Sequence, residues 1–418
     1  MMSKVKFKNL DITYFTIEDV GSGLFQTQIL DIIREIIKQD PNIKFEIIAI
    51  NRLWHFLEHR RWLRKISEKF PNNQIKVRYI PLLPPLRNAL KSYLYSVMVT
   101  KWLTLIYWTF STKKTKIVHC RSYWPAQAAL NAGSTPVLFD MRSLWPLECL
   151  SVGDLTENSR SHKYWINLEK NCLQKASIST GVSMGMIDYA KLIVPGKRFD
   201  LIPISADLEK FKFNITDRLA KRKILSWTDD LILVYSGGFG QSGANHGALR
   251  WLFKLLLGSD SSIKLLFLTM ESDEAVKELM SGVLNSNDRY QIIHPAFNEM
   301  SGWLSVADIG VHALPLQLDS ATRLGTKVVE YWTNGLPVIV NENVGAAAEF
   351  INEFNVGLVL NSTKDVHEGD WLIQQIKSLT KLERQHQTDF ATKHFSSITV
   401  AKKYLNTYRY CLGDQPIS

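Results

Sequence analysis

The stretch GTKVVEYWTNGLPVIV, residues 325–340, decides how the chain folds. Gly325 and Thr326 open a short helix, Gly335 closes it in the left-handed conformation, and Pro337 forbids its continuation. The apolar run PVIV then begins with proline, as a strand buried on both faces begins. A short helix leading straight into such a strand is the repeating unit of a parallel α/β sheet. Thr326, Lys327 and Glu330 lie three and four residues apart, on one face near the helix start. That end carries free N–H groups and the positive end of the helix dipole, which suit an anion such as a phosphate. Glu330, an acceptor-only carboxylate, could take hydrogen bonds from two neighbouring hydroxyls, as on a ribose. The combination points to a nucleotide; an exposed Glu330–Lys327 ion pair is the alternative.

Outward from this unit the alternation recurs. NLDITYF, KFEIIAI, QIKVRYI, KIVHC, TPVLFD and SISTGVS read as strands separated by amphipathic helices, and LILVYSGGFG, IKLLFLT, YQIIHPA and DIGVHAL repeat the scheme. The expectation is an α/β chain of two doubly wound Rossmann-like domains facing a cleft, residues 1–205 and 206–390, with a boundary near PISADLEKFKFN. Residues 391–418 are expected to form a terminal helix packing back on the first domain. In open sheets of this kind ligands bind beyond the carboxyl ends of the strands.

Composition narrows the class. The 418 residues exceed one ordinary core, and 45% apolar with 22% charged residues excludes a disordered chain. Cys120, Cys149, Cys172 and Cys411 are widely spaced, which argues against a zinc site or a disulfide scaffold and fits a reducing compartment. MMSKVKFKNLDITYF enters a strand without a signal-peptide apolar core, so a cytoplasmic location is expected. Residues 51–121 carry fifteen Lys and Arg against Glu58 and Glu68, a net +13, while the whole chain carries +10. An anionic membrane surface is therefore expected as a partner of residues 51–121, with the protein peripheral at the inner face of the membrane. SYLYSVMVTKWLTLIYWTF, residues 92–110, has Lys101 at its centre, which argues against a membrane span. It reads as a core or interfacial helix, the latter with Trp102, Tyr107 and Trp108 at headgroup depth. No nucleic-acid recognition motif is present, and no nucleic-acid partner is expected.

Several strand ends carry candidate site residues. YSGGFGQSGANHG places Gly237, Gly238 and Gly240 between a strand and a helix, where backbone N–H groups can approach a pyrophosphate. VGSGLFQ gives Gly21 and Gly23 the same placement in the first domain; a tight strand-to-helix turn is the alternative there. His294 in IIHPAF ends a strand, and the Pro295 to Phe297 backbone that follows could flank a flat nucleobase; a structural role for the histidine is the alternative. His119 and Arg121 end one strand and Asp140 and Arg142 another, with Glu148 beyond; contact with a phosphate or sugar stands against buried acid–base pairing. No DxD pair, HExxH or Cys/His cluster appears, so no metal is expected and chemistry would rest on positioned charge.

The chain resembles a glycosyltransferase of the GT-B fold, most like glycosyltransferase family 4. The resemblance rests on RLGTKVVEYWTNGLPVIVNENVGAAAEFI, supported by FDMRSLWPLE, LEKNCLQKASISTGVSMGMIDYA, LIPISADLEKF and LSVADIGVHALP. It implies transfer of a sugar from a nucleotide-sugar co-substrate, UDP- or GDP-linked, without a further cofactor or metal and with retained configuration. The implied acceptor is a saccharide or lipid-linked sugar in cell-surface polysaccharide or glycoconjugate synthesis. Glu330 matches the family's ribose-binding second acid, and Thr322 stands where the first acid would be. Thr326 and Lys327 would lie against the diphosphate, with Lys327 or Arg323 neutralising it. The histidine that many members place beside the sugar would fall near Asp140 to Arg142; it is absent, leaving His119 as a substitute. The alternatives are a GT-B sugar-nucleotide epimerase and a non-enzymatic protein binding anionic surfaces or nucleic acid.

Overall fold

A computed structural model describes residues 10–52, 56–70, 74–82, 92–111, 115–133, 136–239, 246–284, 288–296, 298–361 and 370–413. The chain divides into two compact units, Met1–Ser205 with Ser397–Ser418, and Ala206–Ser396.

The first unit holds a seven-stranded sheet: β1 (Leu10–Thr16), β2 (Ile43–Arg52), β3 (Ile75–Leu82), β4 (Ile117–Arg121), β5 (Val137–Asp140), β6 (Ile178–Gly181) and β7 (Phe199–Leu201). Their order is β3-β2-β1-β4-β5-β6-β7, and every pairing is parallel. The second unit holds β8 (Leu231–Ser236), β9 (Ile263–Leu268), β10 (Tyr290–Ile293), β11 (Ile309–His312), β12 (Val338–Asn341) and β13 (Gly357–Leu360) in the order β10-β9-β8-β11-β12-β13, again parallel. In each sheet the order reverses once, between β1 and β4 and between β8 and β11. At such a switch point the connections leave to opposite faces, so the loops part and leave a crevice beyond the strand ends. The expected doubly wound α/β architecture is the one observed.

The central strands are buried on both faces, as their continuous apolar runs require: Ile232, Leu233 and Val234 in β8 and Val338, Ile339 and Val340 in β12 are fully buried. The helix Tyr93–Phe110 buries Val99, Leu103, Ile106 and Tyr107 against the first unit's core and turns its opposite face outward. Of the three aromatics expected at headgroup depth, Trp108 is 71% exposed, Tyr107 is buried and Trp102 packs on the core. No helix among the described residues is long and apolar enough to cross a membrane.

The return to the first unit comes at Ser397, later than residue 391, because the helix Arg384–Phe395 packs with the second unit on the helix Thr326–Thr333. Phe390 and Phe395 from it close around Trp332. The last helix, Ser397–Cys411, then lies along the helix Asp31–Gln39 and adds Val400, Tyr404 and Tyr408 to the first unit's core.

Candidate functional site

The helix Thr326–Thr333 fixes the geometry of the second unit's strand ends. Its Val328, Val329, Tyr331 and Trp332 are all buried, so it is held on nearly every side. Tyr331 lies flat over Gly310 of β11, where a Cβ would fall 2.4 Å from the ring. Its hydroxyl accepts a hydrogen bond from the Ser236 N–H at the end of β8, at 2.6 Å. The Trp332 indole N–H donates to the Val356 carbonyl at 2.9 Å. Gly335, at φ +79°, ends the helix as its sequence anticipates.

This clamp sets Lys327 beside the turn that follows β8. Gly237 has φ +131°, a conformation open to glycine, and a Cβ there would meet the Lys327 side chain at 3.8 Å. Together with Ser236, Gly238, Glu271, Pro295 and Met300, they line a cavity of about 280 Å³ at the carboxyl ends of β8, β9 and β10. One wall carries the Lys327 cation and the other the Glu271 carboxylate, which accepts the Phe239 N–H at 3.2 Å. Glu330 stands behind Lys327, its carboxylate accepting the Lys327 ammonium at 2.8 Å. Glu330 is 7% exposed; burial raises its pKa above the ordinary value, against the pull of Lys327 and Lys210. The pair is therefore a partly buried one, different from the exposed ion pair that the sequence left open.

Of the predicted residues the cavity brings together Gly237, Gly238 and Lys327. Thr326 is exposed at the first position of the helix. Gly240 lies outside the described residues. Arg323 is engaged by Asp319, Nε to carboxylate at 2.6 Å, which takes up the charge expected to neutralise a phosphate. Pro295, at the start of the backbone expected to flank a nucleobase, lines the cavity, while the His294 imidazole bridges the Thr269 carbonyl at 2.8 Å and Asp273 at 2.9 Å. These contacts stabilise the charged imidazole and raise its pKa.

In the first unit the strand-end residues turn inward. Asp140 and His119 are each 1% exposed, and Arg121 is 4% exposed. Asp140 accepts from the Thr180 hydroxyl at 2.9 Å and stands 3.5 Å from both His119 and Arg142. Burial works to raise the Asp140 pKa, but Arg142, His119 and Arg121 together hold it well below the usual carboxylate range. His119 is bonded through Nδ1 to the Tyr408 hydroxyl at 2.8 Å, and burial lowers its pKa. Buried acid–base contact, the alternative for Asp140 and Arg142, is the arrangement seen, and His119 faces the last helix with Nδ1 and Asp140 with Nε2. At Gly21 the N–H is taken by Asp19 at 2.9 Å, and Ser22 caps the helix that begins at Gly23. That is the tight turn, with the Gly21 donor already used.

Two residues of the second unit were missed. Glu271 lies in the loop that leaves β9, three residues past its end, so the strand-end rule extended to the loop after each strand would have found it. His312, the last residue of β11, is 9% exposed, stacks on Tyr235 with 6.4 Å between ring centroids, and lies under Gly325. Its Nδ1 has no hydrogen-bond partner among the described residues, and burial, then Arg323 and Lys327, lower its pKa to about 4. Among the described residues no group of three His, Cys, Asp or Glu is arranged to hold a metal.

No protein-family model matches the chain, and no curated protein matches its sequence. Solved structures do match its fold. Sucrose-phosphate synthase from Thermosynechococcus elongatus superposes with a TM-score of 0.68 at 13% identity, over 97% of this chain and 99% of that one. A glycosyltransferase from Rickettsia africae gives 0.65 at 16% identity, over 97% and 99%. HepE of Anabaena, in complex with UDP and glucose, gives 0.62 at 14% identity, over 96% and 99%. At these identities the likeness is one of architecture: the chain has the GT-B fold, two Rossmann-like units in one polypeptide.

Proposed function

We propose that this chain is a glycosyltransferase that takes a sugar from a nucleotide-sugar donor bound in the second unit. The observation that carries the reading is the cavity beyond β8, β9 and β10, where Lys327 stands beside the Gly237 turn. A cation at one wall and a carboxylate at the other suit a ligand with a diphosphate at one end and hydroxyl or N–H donors at the other. The GT-B architecture, shared with a HepE complex that holds UDP, favours a UDP-sugar, with a GDP-sugar as the other donor to test.

In this reading Lys327 meets the negative charge that develops on the leaving diphosphate, which a preorganised cation in a water-poor site stabilises more in the transition state than in the ground state. Glu330 releases part of its hold on Lys327 and accepts from the ribose hydroxyls. The acceptor is a saccharide or lipid-linked sugar of cell-surface polysaccharide or glycoconjugate synthesis, the reaction is metal-independent, and configuration is retained; these last points rest on the resemblance to family 4.

Thermal unfolding with a nucleotide panel tests the donor site. UDP or GDP is expected to raise the melting temperature and Glu330→Ala to remove that shift. Equal stabilisation of the parent and Glu330→Ala would overturn the assignment of Glu330, and no stabilisation of the parent by any nucleotide would overturn the donor site.

A further inference from the structure

The helix Tyr93–Phe110 carries a narrow apolar stripe that nothing within the described chain covers. Leu94, Met98, Leu105 and Trp108 are 76%, 56%, 59% and 71% exposed. At about 100° per residue these four and Lys101 fall within roughly a quarter-turn of one another on the helix. The opposite face holds the core residues Val99, Leu103 and Ile106, so the stripe points straight away from the unit.

Beside it lies a cavity of about 340 Å³ between this helix and the helices Tyr123–Asn131 and Arg160–Lys175. Its lining is unlike a gap in a core: Gln127, Asn131, Asn167 and Asn171 present amides, and Lys101 stands at its edge. Asn171 donates to the Gln127 carbonyl oxygen at 2.7 Å, and Gln127 donates to Asn131 at 2.7 Å, which fixes the amides in one orientation. The lining contains no carboxylate. Lys163 and Lys170 are exposed four residues before and three after Asn167 on the same helix, and the helix Tyr93–Phe110 has no acidic residue. The one acid of the neighbouring helix, Glu169, is buried and bonded to Tyr123 and Tyr189.

We propose that this helix seats the protein on a bilayer of anionic phospholipid. Leu94, Met98, Leu105 and Trp108 enter the boundary between headgroups and acyl chains, and the amide-lined cavity with Lys101 receives the phosphate-bearing headgroup of one lipid. Apolar side chains at this spacing gain by leaving water, and amide donors with a lysine and no carboxylate complement a phosphodiester. The proposal does not depend on the nucleotide reading, because its test reads binding to vesicles and not turnover.

The full chain is floated with vesicles of phosphatidylcholine alone and of phosphatidylcholine with phosphatidylglycerol. Binding is expected to the second and to weaken with salt. Trp108→Ser is expected to weaken it about tenfold, the order expected for removing one large apolar side chain from the boundary. Asn171→Leu, which leaves the stripe intact, is expected to narrow the preference for phosphatidylglycerol several-fold. Vesicles also shift the Trp108 emission to the blue, read as the difference from Trp108→Phe. Equal binding to both vesicle types, unchanged binding by Trp108→Ser, or a lipid-free dimer that Leu105→Ser dissolves would overturn the proposal, the last by showing that a second copy covers the stripe.

Discussion

The Tyr331 hydroxyl and the Ser236 N–H, 2.6 Å apart, tie the helix that carries Lys327 to the strand that ends in the glycine turn. Ninety-odd residues of sequence separate the two, and the bond joins the packing of Val328, Val329 and Trp332 in holding Lys327 beside the Gly237 backbone. Tyr331→Phe keeps the ring over Gly310 and leaves a buried N–H unpaired. It is expected to cost about 1–3 kcal/mol of stability and to weaken nucleotide binding, measured by urea unfolding and calorimetry. A variant as stable as the parent would show that the bond is dispensable.

Lys327→Ala removes the cation from the cavity wall and takes its ion pair from Glu330. Transfer is expected to fall by about 10²–10³, the range for loss of a preorganised transition-state contact, with a smaller change in donor KM. Steady-state kinetics checks this, and an unchanged kcat would move the cation role elsewhere.

Glu330→Gln should act in opposite directions on stability and on function. Burial raises the Glu330 pKa in the folded state, so the folded chain holds that proton more tightly than the unfolded one. Stability from this group is then present below its unfolded pKa and declines as pH rises through the folded one. The neutral amide removes that penalty and still bonds Lys327, so the melting temperature at neutral pH is expected to hold or rise while nucleotide binding falls. A lower melting temperature would mean that the ion pair outweighs the burial.

His312 gives the second unit a pH response of the other sign. Its folded pKa of about 4 lies below the unfolded value of 6.5, so the unfolded chain takes up the proton first as pH falls. Stability from the neutral ring is full above the unfolded pKa and is lost between there and about pH 4, reaching about 2 kcal/mol by pH 5. His312→Phe should flatten this part of the stability profile. Urea midpoints at pH 7 and pH 5 for both proteins decide it.

Asp308 holds the opposite end of the same unit. It accepts from Arg218 at 2.5 Å, Arg222 at 2.7 Å and the Ile232 N–H at 2.9 Å. Asp308→Ala leaves two arginines facing each other beside the sheet, and a loss of about 3 kcal/mol is expected. A change below about 1 kcal/mol would mean that water replaces the carboxylate.

The fold was legible because parallel strands buried on both faces announce themselves as apolar runs, and because Gly335 and Pro337 mark one helix end without ambiguity. The site was legible where backbone demanded a residue type, as at Gly237, or where spacing placed a cation, as at Lys327. It was not legible where the outcome turned on which face of a strand end looks inward. His119 and Asp140 sit at strand ends like functional residues, and only the last helix, arriving from far along the chain with Tyr404 and Tyr408, closes them off. Arg323 shows the same limit: four residues from Asp319, it looks free in sequence and is paired in space.

That last helix also bears on how the protein is made. The second unit is continuous, Ala206–Ser396, whereas the first needs Val400, Tyr404 and Tyr408 to fill its core. During synthesis the later half can therefore finish folding while the earlier half still waits with an open groove along the helix Asp31–Gln39. A stall or a premature stop before residue 397 would release a chain whose oldest part is its least complete, a substrate for chaperones and proteases rather than a smaller folded protein.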